Sequence, residues 1–307
     1  MPTLAPTAGA GTLLSDVRAA AGDIKLAHSV FALPFALLGA GLSRSPQESL
    51  ARTALSLVLV VGCMVLARTW AMLVNRLADA RFDALNPRTA QRAIPAGRLD
   101  PARGRRLAAL AAAGFLLVCA AFLTQGNPWP LLLGPLVLAW LAFYSFAKRF
   151  TWWCHVLLGT ALGISPVAAA IAVNPASLAH TPALWWLLGM VTCWVAGFDV
   201  IYALQDTDFD RANGLNSIPA RFGPERAIVI SRALHVGAFA MLIAAALSEP
   251  RFGVPFALAV GTIGFLLIFE HLHLARRGRA GIEMAFFTVN GIVSCVAGAL
   301  GLLDLFI

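Results

Sequence analysis

Two acidic stretches hold the residues of this chain whose types and spacing could do chemistry. In the first, 68–97, Asn75, Asp79 and Asp83 stand four residues apart. On a helix each drifts only about 40° from the last, so all three share one face. Arg68 falls on that face as well. An amide oxygen and two stacked carboxylates are hard donors suited to Mg²⁺; the competing reading is a solvated helix end with ordinary polar residues. The second stretch decides between them. D-A-R-F-D-A-L-N from Asp79 aligns with D-T-D-F-D-R-A-N from Asp206, pairing Asp83 with Asp210, Phe82 with Phe209 and Asn86 with Asn213. I-P-A follows both copies, at Ile94 and at Ile218. An echo that continues from helix into loop marks an internal duplication.

Six of the ten aspartates belong to these two regions: Asp79, Asp83, Asp199, Asp206, Asp208 and Asp210. Asp199, Tyr202 and Asp206 fall at i, i+3 and i+7 on one helix face, with Asp199 still inside an apolar run. A carboxylate there costs about 2.5–3.5 kcal/mol on insertion scales, so it should line a polar cavity, unless it serves only to pair with a neighbouring helix. Asp208 is out of phase and ranks lower. The chain's two tyrosines each precede a charged residue by four, Tyr144 before Lys148 and Tyr202 before Asp206. These pairs are helical neighbours, able to serve phosphate or metal-bound water, or to anchor the helix at a membrane interface. His271 and His273, two apart, share no helix face, and no nucleotide loop, serine elbow or zinc motif is present.

These residues must be positioned by membrane helices. The 307 residues are 59% hydrophobic and only 12% charged, against about 25% charged in soluble globular domains. The fold class expected is an all-α polytopic membrane protein. Apolar runs long enough to cross about 30 Å of hydrocarbon cover 24–42, 53–77, 107–124, 131–146, 153–173, 184–204, 227–247, 254–269 and 284–306, nine transmembrane helices in all. Pro, Gly and Asn punctuate the breaks. The expected organisation is a cytoplasmic tail over 1–22 and a single nine-helix domain over 23–307, with no cleavable signal peptide. Five scattered cysteines read as packing residues.

Arginine and lysine cluster after the second, fourth, sixth and eighth spans, which by the positive-inside rule places the N-terminus and both acidic clusters in the cytoplasm of an inner-membrane protein. That topology also accounts for most of the net charge of +8, so no nucleic-acid partner is expected, and the sequence sets no oligomeric state. The second and sixth spans run the same way four apart, giving two pseudo-repeated four-helix units plus one. A transporter binding an ion at repeated acids is the rival reading, but a cation path is poorly served by Arg68, Lys148 and Arg149 nearby.

The chain resembles the UbiA superfamily of intramembrane prenyltransferases. Its N-D-x-x-D-x-x-x-D signature is similar to Asn75, Asp79 and Asp83; its D-x-x-x-D to Asp206 and Asp210, with Asp199 upstream; and its Y-x-x-x-K-R-x-T to Tyr144, Lys148, Arg149 and Thr151. Two positions depart from the pattern: Arg76 stands where the usual Asp follows the Asn, and Asn216 where a Lys is usual. The resemblance implies Mg²⁺-dependent transfer of a polyprenyl group from its diphosphate to an aromatic acid, 4-hydroxybenzoate or a dihydroxynaphthoate, in ubiquinone or menaquinone biosynthesis; homogentisate or a porphyrin is the alternative acceptor. Asn75, Asp79, Asp83, Asp206 and Asp210 would hold Mg²⁺. Lys25, Arg68, Arg88, Arg92, Lys148 and Arg149 would bind phosphate oxygens beside Tyr144 and Tyr202. The lipid bilayer would admit the prenyl tail, and the loops 88–97 and 214–223 would cap the site.

Overall fold

The structure, a computed structural model, describes residues 16, 18–20, 22, 31–45 and 47–307. Lys25 and the start of the first expected span lie outside the described residues. The helices are α1 Leu33–Ser43, α2 Leu50–Leu85, α3 Pro101–Ala121, α4 Trp129–Phe143, α5 Cys154–Gly163, α6 Ser165–Val173, α7 Ala183–Ala203, α8 Thr207–Ala212, α9 Ile218–Phe222, α10 Pro224–Ser248, α11 Val254–Arg277 and α12 Asn290–Phe306. No strand occurs among the described residues. Eight helical runs are long and apolar enough to cross a membrane, and α1 is a shorter apolar helix. The nine expected runs thus appear as eight long ones and α1. The chain is an integral membrane protein.

Local chemistry sets the helix ends. The Ser49 hydroxyl accepts from the Arg52 amide (3.3 Å) to start α2, and Asp100 caps α3 by accepting from the Ala102 and Arg103 amides (2.8 and 3.2 Å). Pro101 occupies the first turn of α3, where its missing N–H costs nothing. α5 and α6 form one run that bends before Pro166, since a proline ring removes a helical donor and clashes with the preceding turn.

The bundle is built around α7, whose Leu184, Leu187, Met190, Trp194, Val195 and Ile201 are fully buried. It packs closely against α5 and α10. Between helices in lipid there is little hydrophobic drive, so small residues must let backbones approach. A Cβ on Gly159 would lie 2.2 Å from the Thr192 carbonyl oxygen, and one on Gly39 would lie 2.2 Å from that of Pro166. Leu117, Leu136, Val236 and Phe265 stay exposed on the outer surface, as a lipid-facing rim requires.

The two ends of the bundle differ. One is stitched by side-chain bonds to backbone carbonyls of distant segments: Arg52 to the Gln125 carbonyl (2.7 Å), Asn127 to the Ile171 and Ala172 carbonyls (2.8 and 2.9 Å), and Arg251 to the Leu42 carbonyl (2.9 Å). The other gathers the 86–100 loop, the tight turn after α4 and the segment 204–223 around a cavity.

Candidate active site at the polar end of the bundle

Three elements meet at the cavity, and two of them change pitch there. α2 runs unbroken for 36 residues to Leu85 and lays Asn75, Asp79 and Asp83 along one side. α4 tightens into a 3₁₀ turn, Tyr144–Arg149, and α7 into another, Leu204–Asp206, before α8. The chain leaving α2 is folded back by the Thr89 hydroxyl, which donates to the Asp83 carbonyl (3.1 Å), and by the Arg88 amide, which donates to the Asn86 side chain (3.0 Å). That turn swings Arg88 and Arg92 over the acids. The cavity encloses about 510 Å³. Asn75, Arg68, Asp79, Asp83, Arg88, Arg92, Tyr144, Lys148, Arg149, Asp199, Tyr202, Asp206 and Asp210 all line it; of the residues given a metal, phosphate or catalytic role from the sequence, Lys25 alone is not placed there, because it lies outside the described residues.

Each acid of the duplicated motifs faces one cation. Asp83 pairs with Arg92 (2.7 Å), Asp79 with Arg149 (3.2 Å), Asp210 with Lys148 (3.2 Å) and Asp206 with Arg88. Asp206 is the most fully held: it takes a forked pair from Arg88, with Nε at 3.0 Å, and a bond from the Asn86 amide at 3.0 Å. Arg88 also donates to the Tyr202 hydroxyl (2.9 Å). Burial alone would lower the Arg88 pKa, but its bond to Asp206, that carboxylate's charge and Tyr202 together raise it above the ordinary arginine value. Asp208, out of phase in the sequence, is 82% exposed and, among the described residues, pairs with Arg279 at 3.6 Å.

Some neighbours escaped the sequence reading. His155 is buried beside Asp199, its Nδ1 2.7 Å from Oδ2. Phe31, Phe198, Phe286 and Phe287 join Tyr202 as an aromatic wall of the cavity, with Tyr202 and Phe286 ring centres 4.2 Å apart. Phe286 and Phe287 sit in a π-helical turn, Met284–Val289, a widened geometry common at functional sites. A lone histidine opening an apolar run was the available signal for the first; nothing in the spacing announced the second.

The donors fit a magnesium ion shared with a phosphate. Among the described residues no three acidic, histidine or cysteine side chains converge as a complete metal set. Mg²⁺ does not need one, since it keeps waters and takes one or two carboxylates together with substrate phosphates. Among the described residues the buried Asp83 Oδ2 has no hydrogen-bond partner, an oxygen left for such a ligand. The Asn75 amide oxygen instead accepts from Arg76 (3.0 Å), so the residue that departs from the expected Asp shares that candidate ligand.

A second, apolar space of about 210 Å³ runs between α2, α3, α4 and the bent α5–α6 run, walled by residues such as Val60, Met64, Phe115, Val137 and Ala169. It meets the polar cavity at Arg68, Met72, Tyr144 and Leu162, which line both. The arrangement offers charge for an anionic head and hydrocarbon for a long tail.

Comparison with known proteins agrees with this geometry. The model of the UbiA prenyltransferase family matches residues 32–292. The chain is 31% identical over 236 residues to a 4-hydroxybenzoate octaprenyltransferase of Enterobacter sp. (strain 638), covering 76% of this chain and 77% of that one. It is 30% identical over 237 residues to the enzyme of the same name from Edwardsiella ictaluri (strain 93-146), covering 76% and 79%. Among solved structures, the apo structure of a UbiA homolog from Aeropyrum pernix K1 superposes with a TM-score of 0.80 at 34% identity, covering 91% of this chain and 98% of that one. A UbiA homolog from Archaeoglobus fulgidus, bound to GPP and Mg²⁺, shares the fold with a TM-score of 0.69 at 18% identity, covering 94% and 100%.

Proposed function

The chain belongs to the UbiA prenyltransferase family, and from that premise we propose that it transfers a polyprenyl group from its diphosphate to an aromatic acid, 4-hydroxybenzoate or a dihydroxynaphthoate, in quinone biosynthesis. The observation that carries this is the junction of the two spaces. Four paired carboxylates and their cations surround a cavity whose floor opens, at Arg68 and Tyr144, into a hydrocarbon-lined groove. A diphosphate with a long isoprenoid tail is a ligand that uses both.

In this reading the acids exchange partners when substrate binds. Asp83, Asp79 and Asn75 on one side, and Asp206 and Asp210 on the other, would hold Mg²⁺, which when bound neutralises the diphosphate as a leaving group. Displaced from the carboxylates, Arg88, Arg92, Lys148 and Arg149 turn to phosphate oxygens, with Arg68 and Tyr144 at the first turn of the tail. Lys25 is assigned to the same phosphate set. The tail in the apolar groove leaves the allylic carbon between the acid pairs and the aromatic wall. Tyr202 and Phe286 offer that carbon a π face as its positive charge develops. The loops 88–97 and 214–223 keep water from it. The arginine-rich ends support the reading that this face lies in the cytoplasm at the inner membrane.

The test is mass spectrometry of products formed by purified protein from a long polyprenyl diphosphate, Mg²⁺ and two competing acceptors, 4-hydroxybenzoate and 1,4-dihydroxy-6-naphthoate. Chelator-sensitive prenylation of one acceptor is expected. Folded protein that releases no diphosphate with any aromatic acceptor overturns the proposal and returns the ion-binding transporter.

A further inference from the structure

Five carboxylates line the cavity, and one is held differently from the rest. Asp79, Asp83, Asp206 and Asp210 each face an arginine or lysine. Asp199 makes no salt bridge with an arginine or lysine among the described residues; its partner is the imidazole of His155. That imidazole is fully buried at the start of α5. On its far side the amide of Ile218 lies 3.2 Å from Nε2. A backbone N–H can only donate, so Nε2 must present its lone pair. The ring proton therefore sits on Nδ1 and is donated to Asp199 Oδ2. The tautomer is set by the backbone.

Ile218 is itself fixed. The Asn216 amide donates to the Lys148 carbonyl (2.6 Å), the Cys154 thiol donates to the Asn216 carbonyl (3.4 Å), and the Ser217 hydroxyl caps α9 by accepting from the Ala220 amide (3.3 Å). The strand of chain that follows the second acidic motif is laced to the end of α4 and the start of α5, and His155 passes that constraint to Asp199.

We propose that His155 is a positioning residue for the transfer: clamped by the Ile218 amide, it holds Asp199 with its free oxygen toward the aromatic wall, where that oxygen takes the proton leaving the acceptor ring. This rests on the prenyl-transfer reading above. The step balances. A bond forms between the allylic carbon and a ring carbon; the carbon–oxygen bond to diphosphate breaks, and its electron pair leaves with the diphosphate. The electrons of the ring C–H bond then restore aromaticity as the proton passes to Asp199 Oδ1 and on to water. A carboxylate forked by a guanidinium is a weak base because the cation stabilises its charged form. Asp199 is forked by no guanidinium among the described residues, and its contact with His155 is made through Oδ2, which leaves Oδ1 to the acceptor. Tyr202 lies one turn further along and Phe198 immediately before it, and both belong to the aromatic wall on which a flat acceptor would stack.

The two ring nitrogens can be tested separately. In His155→Asn the amide nitrogen falls where Nδ1 was, keeping the donor to Asp199; in His155→Gln the amide falls where Nε2 was, keeping only the contact with Ile218. Steady-state turnover would be measured with 4-hydroxybenzoate carrying hydrogen or deuterium ortho to its hydroxyl. Positioning errors and lost general-base help each cost on the order of 10²-fold. His155→Gln is expected to lose kcat on that order, with little change in KM for the diphosphate and a primary deuterium isotope effect that wild type lacks. His155→Asn should stay close to wild type on all three readings. Asp199→Asn, of nearly equal volume, should lose kcat at least as far as His155→Gln, and it keeps the question open to a result if His155→Gln does not fold. Product from wild type, with no isotope effect in His155→Gln and equal losses in both histidine variants, overturns the role of His155. Retention of full turnover by Asp199→Asn does the same. Absence of prenylated product from wild type with both 4-hydroxybenzoate and 1,4-dihydroxy-6-naphthoate overturns the reading beneath it.

Discussion

The two acidic regions began as copies and are now used unequally. In the first, α2 carries its acids on an unbroken helix, and the loop that follows sends Arg92 back to Asp83 and Arg88 across to Asp206. In the second, the helix tightens at Leu204–Asp206, restarts as α8 and stops at Asn213, the counterpart of the Asn86 that ends α2. The arginine there faces away: Arg211 donates to the Ala220 carbonyl (2.8 Å) on an exposed surface. Lys148 and Arg149, at the end of α4, supply the remaining cations. All four cations thus come from residues 88–149, while the acids come from both copies. The duplication kept the carboxylates in pairs and left the positive charge to one half. A site that must hold metal on both sides of a diphosphate needs symmetric acids, whereas phosphate oxygens can be reached by cations from one side.

That asymmetry can be broken most directly through the acids. Asp83→Asn and Asp206→Asn are each expected to lower kcat by about 10³-fold with a raised requirement for Mg²⁺, and similar losses in the two would confirm that both copies hold metal. A loss confined to Asp83→Asn would mean that the second copy has become structural.

The next effect separates the cations. Arg88→Ala leaves Asp206 with only Asn86, so stability should fall by about 2 kcal/mol, less than the loss from breaking a fully buried pair because the Arg88 side chain is 31% exposed. Addition of Mg²⁺ with an unreactive diphosphate should raise the Tm of this variant more than that of wild type, since the ligands replace the lost charge. Arg211→Ala, the counterpart in the second half, should leave kcat within about twofold, as exposed surface substitutions usually do. Equal damage from both would sink the idea of a one-sided cation set.

Smaller still is the consequence of Arg76. It donates to the amide oxygen of Asn75, a candidate metal ligand, so Arg76→Ala should tighten the half-saturating Mg²⁺ concentration by about threefold, the size of one modest hydrogen bond released. A weaker Mg²⁺ response would assign Arg76 to the substrate instead.

The smallest effect lies at the opposite end of the bundle and should leave the site untouched. Burial would raise the Glu249 pKa, but the forked Arg251 overcomes it and holds the carboxyl below its ordinary value. A depressed folded-state pKa stabilises the protein above the unfolded value near 4.5, and that contribution is lost as pH falls. Wild type should therefore lose more thermal stability than Glu249→Gln between pH 6 and pH 4, as read by melting in detergent, with turnover at pH 7 the same in both.

The sequence by itself determined the membrane class, because an apolar run long enough to cross hydrocarbon can satisfy its backbone only as a helix. It also determined which acids share a face, because four-residue spacing sets that face before any packing occurs, and the repeat at Asp206 repeats that constraint. Its gathering of Arg68, Tyr144, Lys148 and Asp199 with those acids matches where the structure puts them. Tertiary structure alone decided which charge meets which. Arg88 reaches Asp206 across 118 residues of sequence and Lys148 reaches Asp210 across 62, through a loop turn and two 3₁₀ turns whose geometry depends on what packs against them. It also decided that His155 meets both Asp199 and Ile218, and that Phe286 and Phe287 close the far wall. Local spacing carries no record of a neighbour brought in from a distant segment; only the packing of α5, α7 and the last span against one another does.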